Sequence, residues 1–357
     1  MEARRPKVRC ARIANVSRRL IAFLILIACS CGTVAAQLTP QQKTENLDAF
    51  EKVWSKVRER HPDPKLNGLD WQAIHDSTRP LIEKAQSMDE VRGIMRDMLA
   101  KLESSHYAII PADRYTDKPE AAKTPDAPAD AGPREGFGQI SAEGVLVRFG
   151  NLPETRLSFD AHALADGVGY IRFNEFLEPG SIMPQIEAAL KGFHDAPGVI
   201  LDIRGNPGGI GIMAMGIAGF FIDKPGQALG EMTMRDTTLK FVIFPRPQTY
   251  KGPLAILVDG GSASTSEILA GGMQDLKRAR IFGTRTAGAV LPSDIIRLPN
   301  GDGFQYAQAG YTSTGGRVLE GTGVTPDVEV RQTEEARRDG KDLVLDAADE
   351  WIRSTHR

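Results

Sequence analysis

Val199-Ile-Leu-Asp-Ile-Arg-Gly-Asn-Pro-Gly-Gly209 and Leu254-Ala-Ile-Leu-Val-Asp-Gly-Gly-Ser-Ala-Ser264 are the two stretches that decide the fold. Each opens on an apolar, β-branched run of the kind a strand shows when covered on both faces. Each then turns through small residues. The second continues as Thr265-Ser-Glu-Ile-Leu-Ala-Gly-Gly-Met-Gln-Asp275, a helix. Strand, small-residue turn and helix, twice in one chain, define α/β architecture with right-handed crossovers. Small residues let the backbone turn sharply with its N–H groups outward, and a helix start adds partial positive charge. Such a turn suits an anion or a developing oxyanion. Neither turn matches a nucleotide-binding glycine pattern, and the six histidines form no common zinc motif.

Upstream, Val145-Leu-Val-Arg-Phe149, Arg156-Leu-Ser-Phe159 and Val168-Gly-Tyr-Ile-Arg-Phe173 read as strands, and a helix is expected from about Ser181 to His194. Further back the period changes. Leu47, Phe50, Val53, Trp54 and Val57 fall at helical spacing, and His61-Pro-Asp-Pro64 ends that helix. Two or three more helices are expected up to Leu102, with Asp89 or Ser87 as a start signal. The boundaries that follow are a leader over 1–36, a helical domain over 37–110, a Pro/Ala/Asp/Lys-rich linker over 111–135, an α/β core over 136–335 and a C-terminal helix over 336–357.

The chain has 357 residues, 41% hydrophobic and 25% charged, an ordinary balance for a globular chain with a sizeable core. Seven of its 44 Lys/Arg and one of its 46 Asp/Glu lie in residues 1–36, leaving a mildly acidic body of 37 cations against 45 anions. That body has no electrostatic footprint for nucleic acid. The cysteines, Cys10, Cys29 and Cys31, are confined to the leader, so the body has no thiolate nucleophile and no disulfide framework. In the leader, basic residues up to Arg19, the apolar run Leu20–Ala28 and a small-residue end at Val34-Ala-Ala36 fit an export signal cut before Gln37, hence a periplasmic location. An uncleaved anchor is the rival, though the run is short of the roughly 20 apolar residues of a span. Leu26-Ile-Ala-Cys29 resembles a lipobox, which implies a lipid on Cys29 and a membrane tether; Ser17-Arg-Arg19 resembles a twin-arginine signal.

Ser264, at a strand-to-helix turn, is placed as a nucleophile would be. Ser264-Thr-Ser-Glu267 is equally a capping box in which the serine only caps the helix. A resemblance bears on that choice. Val258–Asp275 resembles the nucleophile segment of the tail-specific, or carboxy-terminal processing, serine proteases, and Val199–Gly209 is similar to their other strong motif. Gly283-Thr-Arg-Thr-Ala-Gly-Ala289 and Gly321-Thr-Gly-Val-Thr-Pro-Asp327 match later landmarks in order. The resemblance implies a crotonase-like, ClpP-like αββ spiral core and Ser264 as nucleophile. Those proteases carry a lysine base where this chain has Ala289, and Arg285 nearby cannot lose its proton at useful pH. The tricorn-like branch, with related nisin-resistance and chlamydial proteases, instead uses a histidine in a Ser-His segment before the core. Glu103-Ser-Ser-His-Tyr107 matches it, so the resemblance implies His106 as base, Ser105 as its companion and Glu320 as orienting carboxylate. The other histidines, His61, His75, His162, His194 and His356, have no such context.

The expected chemistry is hydrolysis of peptide bonds in a peptide or unfolded protein. It runs through an acyl-enzyme on Ser264, with N–H groups of Thr265 and of Gly208 or Gly209 on the oxyanion and no cofactor. Residues 111–160 are too few for the PDZ domain that processing proteases usually carry, which puts recognition of free C-termini in doubt; Gly136–Val145 is a candidate remnant. The competing expectation is a non-catalytic binding protein. Interphotoreceptor retinoid-binding proteins share this core, and Phe220-Phe-Ile222 and Phe241-Val-Ile-Phe244 would be the apolar lining. The sequence leaves the natural substrate and the oligomeric state open.

Overall fold

The structure is a computed structural model and describes residues 37–115, 139–148 and 152–355. The leader with its three cysteines, His356 and most of the 111–135 stretch lie outside the described residues.

The N-terminal region holds three helices, α1 (Pro40–Arg60), α2 (Trp71–Lys84) and α3 (Met88–Ala100). Each start is capped locally. Thr39 and Gln42 form a reciprocal capping box, the Asp70 carboxylate accepts from Ala73 N–H (2.9 Å), and Ser87 rather than Asp89 caps α3 by accepting from Glu90 N–H (3.2 Å). The indole N–H groups of Trp54 and Trp71 donate to each other's backbone carbonyls (2.9 and 3.0 Å), which locks α1 onto the start of α2.

The chain continues through β1 (Ala108–Ile110), β2 (Val145–Arg148), β3 (Glu154–Leu157), β4 (Phe159–Ala163), β5 (Gly169–Phe173), α4 (Pro179–Gly192), β6 (Val199–Asp202), α5 (Gly211–Ala218), β7 (Ala228–Thr233) and β8 (Thr238–Val242). Then come β9 (Leu254–Val258), α6 (Thr265–Asp275), β10 (Arg280–Gly283), β11 (Ser293–Arg297), β12 (Gly303–Ala307), β13 (Gly310–Ser313), β14 (Val328–Glu329), α7 (Glu334–Arg338) and α8 (Leu343–Thr355). The main sheet has the order β14-β10-β9-β6-β5-β4, parallel except for the β4–β5 pair. Every residue of β6 and β9 is buried, the apolar ones as their runs require and Asp202 with its carboxylate held by Tyr170 and Arg204. Alternation sends Val199, Leu201, Ile256 and Val258 into a core with α4, α5 and α6, and Ile200, Ala255 and Leu257 into a core with Val344, Ala348 and Ile352 of α8.

Three details differ from the expectations. The expected strand over 156–159 is two strands that meet at Ser158, whose N–H donates to the Asn174 side chain (2.7 Å). The expected C-terminal helix over 336–357 is broken into α7 and α8, because Gly340 takes φ +70° and the chain turns. The helical region is not closed at residue 110. A second sheet, β1-β12-β11, gives Ile109, Phe304 and Tyr306, with Leu298 just past β11, to the same core as Phe50, Trp54 and Met95. Sequence period separates helix from strand, but it cannot assign a strand's buried face to a neighbour two hundred residues away.

Candidate active site

The two small-residue turns lie against each other and are stitched by side chains. Ala263 N–H and Ser266 Oγ both donate to Asn206 O (3.0 and 2.8 Å), Thr265 Oγ1 donates to Gly209 O (2.8 Å), and Ser262 Oγ donates to Ile203 O (2.8 Å). Asn206, fully buried, anchors the assembly by donating to Phe173 O (3.0 Å). Ser262 and Ser266 are thus buried and engaged, whereas Ser264 lines a cavity. Ser264 sits at φ +54°, ψ −115°, a conformation costly for a side-chain-bearing residue and typical of a sharp nucleophile turn.

Glu267 holds that turn in place. It is fully buried, and its carboxylate accepts four hydrogen bonds: Thr286 Oγ1 (2.6 Å) and Gly288 N–H (2.8 Å) on Oε1, Ala289 N–H (2.9 Å) and Ser264 N–H (3.1 Å) on Oε2. Ser264 N–H is shared with Ala289 O (2.8 Å). The position where the processing proteases carry lysine therefore touches Ser264, and in this chain a methyl group occupies it. Sequence reading found Glu267 only as a helix cap. Its other partners lie 19 to 22 residues onward, beyond any local signal.

On the far side, His106 (φ +63°) lies within 2.6 Å of Ser105 Oγ through Nδ1. Ser105 Oγ reaches Glu320 Oε2 (3.0 Å), Ser105 N–H donates to Glu320 Oε1 (2.7 Å), and Val290 N–H donates to Glu320 Oε2 (2.9 Å). Burial lowers the pKa of His106 from its ordinary 6.5, while the Glu320 charge pulls it partly back up. Burial thus favours the neutral imidazole. His106 and Ser264 line one cavity of about 870 Å³ together with Gly208 and Gly209. Ser264 Oγ makes no hydrogen bond to His106 in this structure. Such pairs are often loose without substrate.

Thr265 N–H and Gly209 N–H have no acceptor among the described residues, whereas Gly208 N–H donates to Asn206 Oδ1 (2.9 Å). Gly208 serves by its lack of a side chain. At φ +101°, a Cβ there would lie 2.8 Å from Ser264 Cβ and from Thr265 N. Arg285 is exposed. His61, His75, His162 and His194 stand apart from the cavity, bonded to Asp63, to Glu51 and Asp76, to Asp160 and to Asp195. Of the apolar segments, Phe220, Phe221, Ile222, Phe241 and Ile243 belong to the main core, and Val242 and Phe244 face outward.

An α/β fold with a serine on a strained strand-to-helix turn and a histidine lining the same cavity has the layout of a hydrolase. Residues 167–330 match the model of peptidase family S41, and residues 42–100 match the tricorn protease C1 domain. The chain carries a peptidase family S41 region over residues 167–330. It is 31% identical over 184 residues to a carboxy-terminal-processing protease of Bartonella bacilliformis, a match covering 50% of this chain and 42% of that protein. The chain thus spans less than half the length of that relative. The solved structure of a photosystem II D1 C-terminal processing protease superposes with a TM-score of 0.53 at 21% identity, covering 82% of this chain and 94% of that one. The tricorn protease gives 0.58 at 15% identity, covering 88% of this chain and 37% of its own. At these identities the likeness to solved structures is one of fold.

Proposed function

We propose that this chain is an exported serine endopeptidase, with Ser264 as nucleophile and His106 as general base. One observation carries the reading: the hydrogen-bond chain Glu320–Ser105–His106 ends in the cavity that Ser264 lines. His106 Nε2 takes the Ser264 proton as Oγ attacks the peptide carbonyl carbon. Thr265 N–H and Gly209 N–H receive the oxyanion, and Gly208 leaves the space for it. The protonated imidazole then gives its proton to the leaving amine, and water, activated by the same histidine, releases the acid. Export rests on the leader's basic, apolar and small-residue order. The leader also leaves open a tether through Cys29.

Reaction with a fluorescent fluorophosphonate tests the assignment. Wild-type protein is expected to label, Ser264→Ala to lose labelling, and His106→Ala to label slower by orders of magnitude. Equal labelling of wild type and Ser264→Ala overturns the nucleophile; rapid labelling of a folded His106→Ala protein overturns the base.

A further inference from the structure

A second cavity, of about 560 Å³, opens between the end of α4, the end of α5 and the 246–252 loop ahead of β9. It is not the cavity of Ser264. Gly211, at the start of α5, lines that one, and Phe220, just past the end of α5, lines this one. The eight residues of the helix, about 12 Å, stand between them. The loop that walls the second cavity is fixed from behind. Arg246 N–H donates to Gly219 O (3.0 Å), Tyr250 N–H to Phe220 O (2.8 Å) and the Tyr250 hydroxyl to Ala196 O (3.2 Å). Arg278 Nη2 donates to both Tyr250 O (2.7 Å) and Gly252 O (3.0 Å). The cavity is therefore built without a ligand, and its volume lies in the range of small-molecule sites.

Its charges are uneven. Among the described residues, Glu187 is the one carboxylate of the lining, and Lys191 Nζ takes it at 2.8 Å. Lys251 pairs with Asp223, and His194 Nε2 lies 2.7 Å from Asp195. Arg246 is the cation left over. Its guanidinium lies on the Phe220 ring, 5.0 Å from the centroid, and has no hydrogen bond or ion pair among the described residues; its Nε is buried without a partner. A guanidinium keeps its charge at any working pH and carries five donors. Held half-buried on an aromatic face with no protein acceptor, it is a charge that a bound anion would satisfy. Leu190, Pro247 and Tyr250 add apolar surface around it. Lys191 and Lys251 are already paired, so a dianion finds no second free cation, and the balance favours a single carboxylate over a phosphate.

We propose that this cavity binds a small organic acid, its carboxylate on the Arg246 guanidinium and its apolar or aromatic body against Leu190, Pro247 and Tyr250. Binding there needs nothing of Ser264 and is independent of the peptidase reading.

Titration calorimetry on the wild-type protein with 3-phenylpropionate, and with 3-phenylpropanamide as its uncharged twin, reads the site. The acid is expected to bind once per chain, and the amide at least tenfold more weakly, since it loses the charge-assisted pair. Arg246→Met keeps an apolar stem on Phe220 and removes the donors, and should weaken the acid at least tenfold. Arg246→Lys keeps the charge without the fork and should fall between the two. Acetyl-Gly-Gly-Phe offers the same carboxylate at a peptide end and should bind no tighter than the acid. A grip tenfold tighter would give the cavity to a polypeptide terminus and overturn the small-acid assignment. No binding of the acid at about 10 mM, equal binding of acid and amide, or unchanged binding by a folded Arg246→Met protein overturns the site. Should the methionine variant not fold, Arg246→Lys and the comparison of acid with amide decide.

Discussion

Ser105 has one hydroxyl proton and two neighbours within reach, Glu320 Oε2 and His106 Nδ1. Glu320 already accepts from two backbone N–H groups and acts only as an acceptor, so the hydroxyl proton goes to it. Ser105 Oγ must then accept from Nδ1–H, and the lone pair is left on Nε2. Activity should rise with pH along a limb centred below 6.5, because burial disfavours the imidazolium; a kcat/KM profile between pH 4 and 8 checks it. Glu320→Gln must put its amide NH₂ against either Ser105 N–H or the pair Val290 N–H and Ser105 Oγ, so one donor always meets another. We expect kcat to fall roughly a hundredfold, less than for loss of His106 itself. The limb should also move to lower pH, since the charge that raises the His106 pKa is gone. An unchanged limb in that variant would show that Glu320 does not act on the base.

At the level of elements, the start of α6 is fixed by contacts the helix does not make itself. Glu267→Gln keeps the shape but cannot accept all four donors, and should destabilise the protein by about 2–4 kcal/mol in denaturant titration. Labelling at Ser264 should weaken with it, because Ser264 N–H and Ala289 N–H share the affected oxygen. Gly208→Ala should lose fluorophosphonate labelling by more than about a hundredfold and also lose some stability, because its Cβ meets backbone at a φ of +101°. Its methyl would fall 2.8 Å from Thr265 N, at the proposed oxyanion position. Retained labelling in that variant would refute the placement of the oxyanion.

Across the whole molecule, the proposed base and nucleophile come from regions joined by a shared apolar core and by several polar contacts, one of them a buried clamp. Arg92 of α3 donates to the fully buried Asp302 carboxylate through Nε (2.9 Å) and Nη2 (2.8 Å), and Ala112 N–H donates to the same group (2.8 Å). Arg92→Ala leaves that carboxylate buried without its cation, at a cost of about 3–5 kcal/mol. The segment from α3 to β1 carries His106, so turnover should fall under conditions where circular dichroism still reports a folded protein. Parallel loss of activity and structure would mean the clamp serves stability alone.

Composition and local spacing were enough to recognise the paired strand–turn–helix units, a helical N-terminal region with Ser87 or Asp89 as a start signal, and Ser264 at a strand-to-helix turn. These features depend on residues within a few positions of one another, where propensity, capping and period act. Glu320 meeting Ser105 is of another kind. The two lie 215 residues apart, and residue spacing alone pointed to neither; resemblance to a family did. The same holds for Glu267 gripping the 286–289 segment and for Gly208 withholding its N–H while Gly209 and Thr265 offer theirs. Each depends on how layers of apolar residues pack. Hydrophobic burial is non-directional, so the pattern of apolar residues says that surfaces are covered, while tertiary packing alone decides which polar groups then face one another.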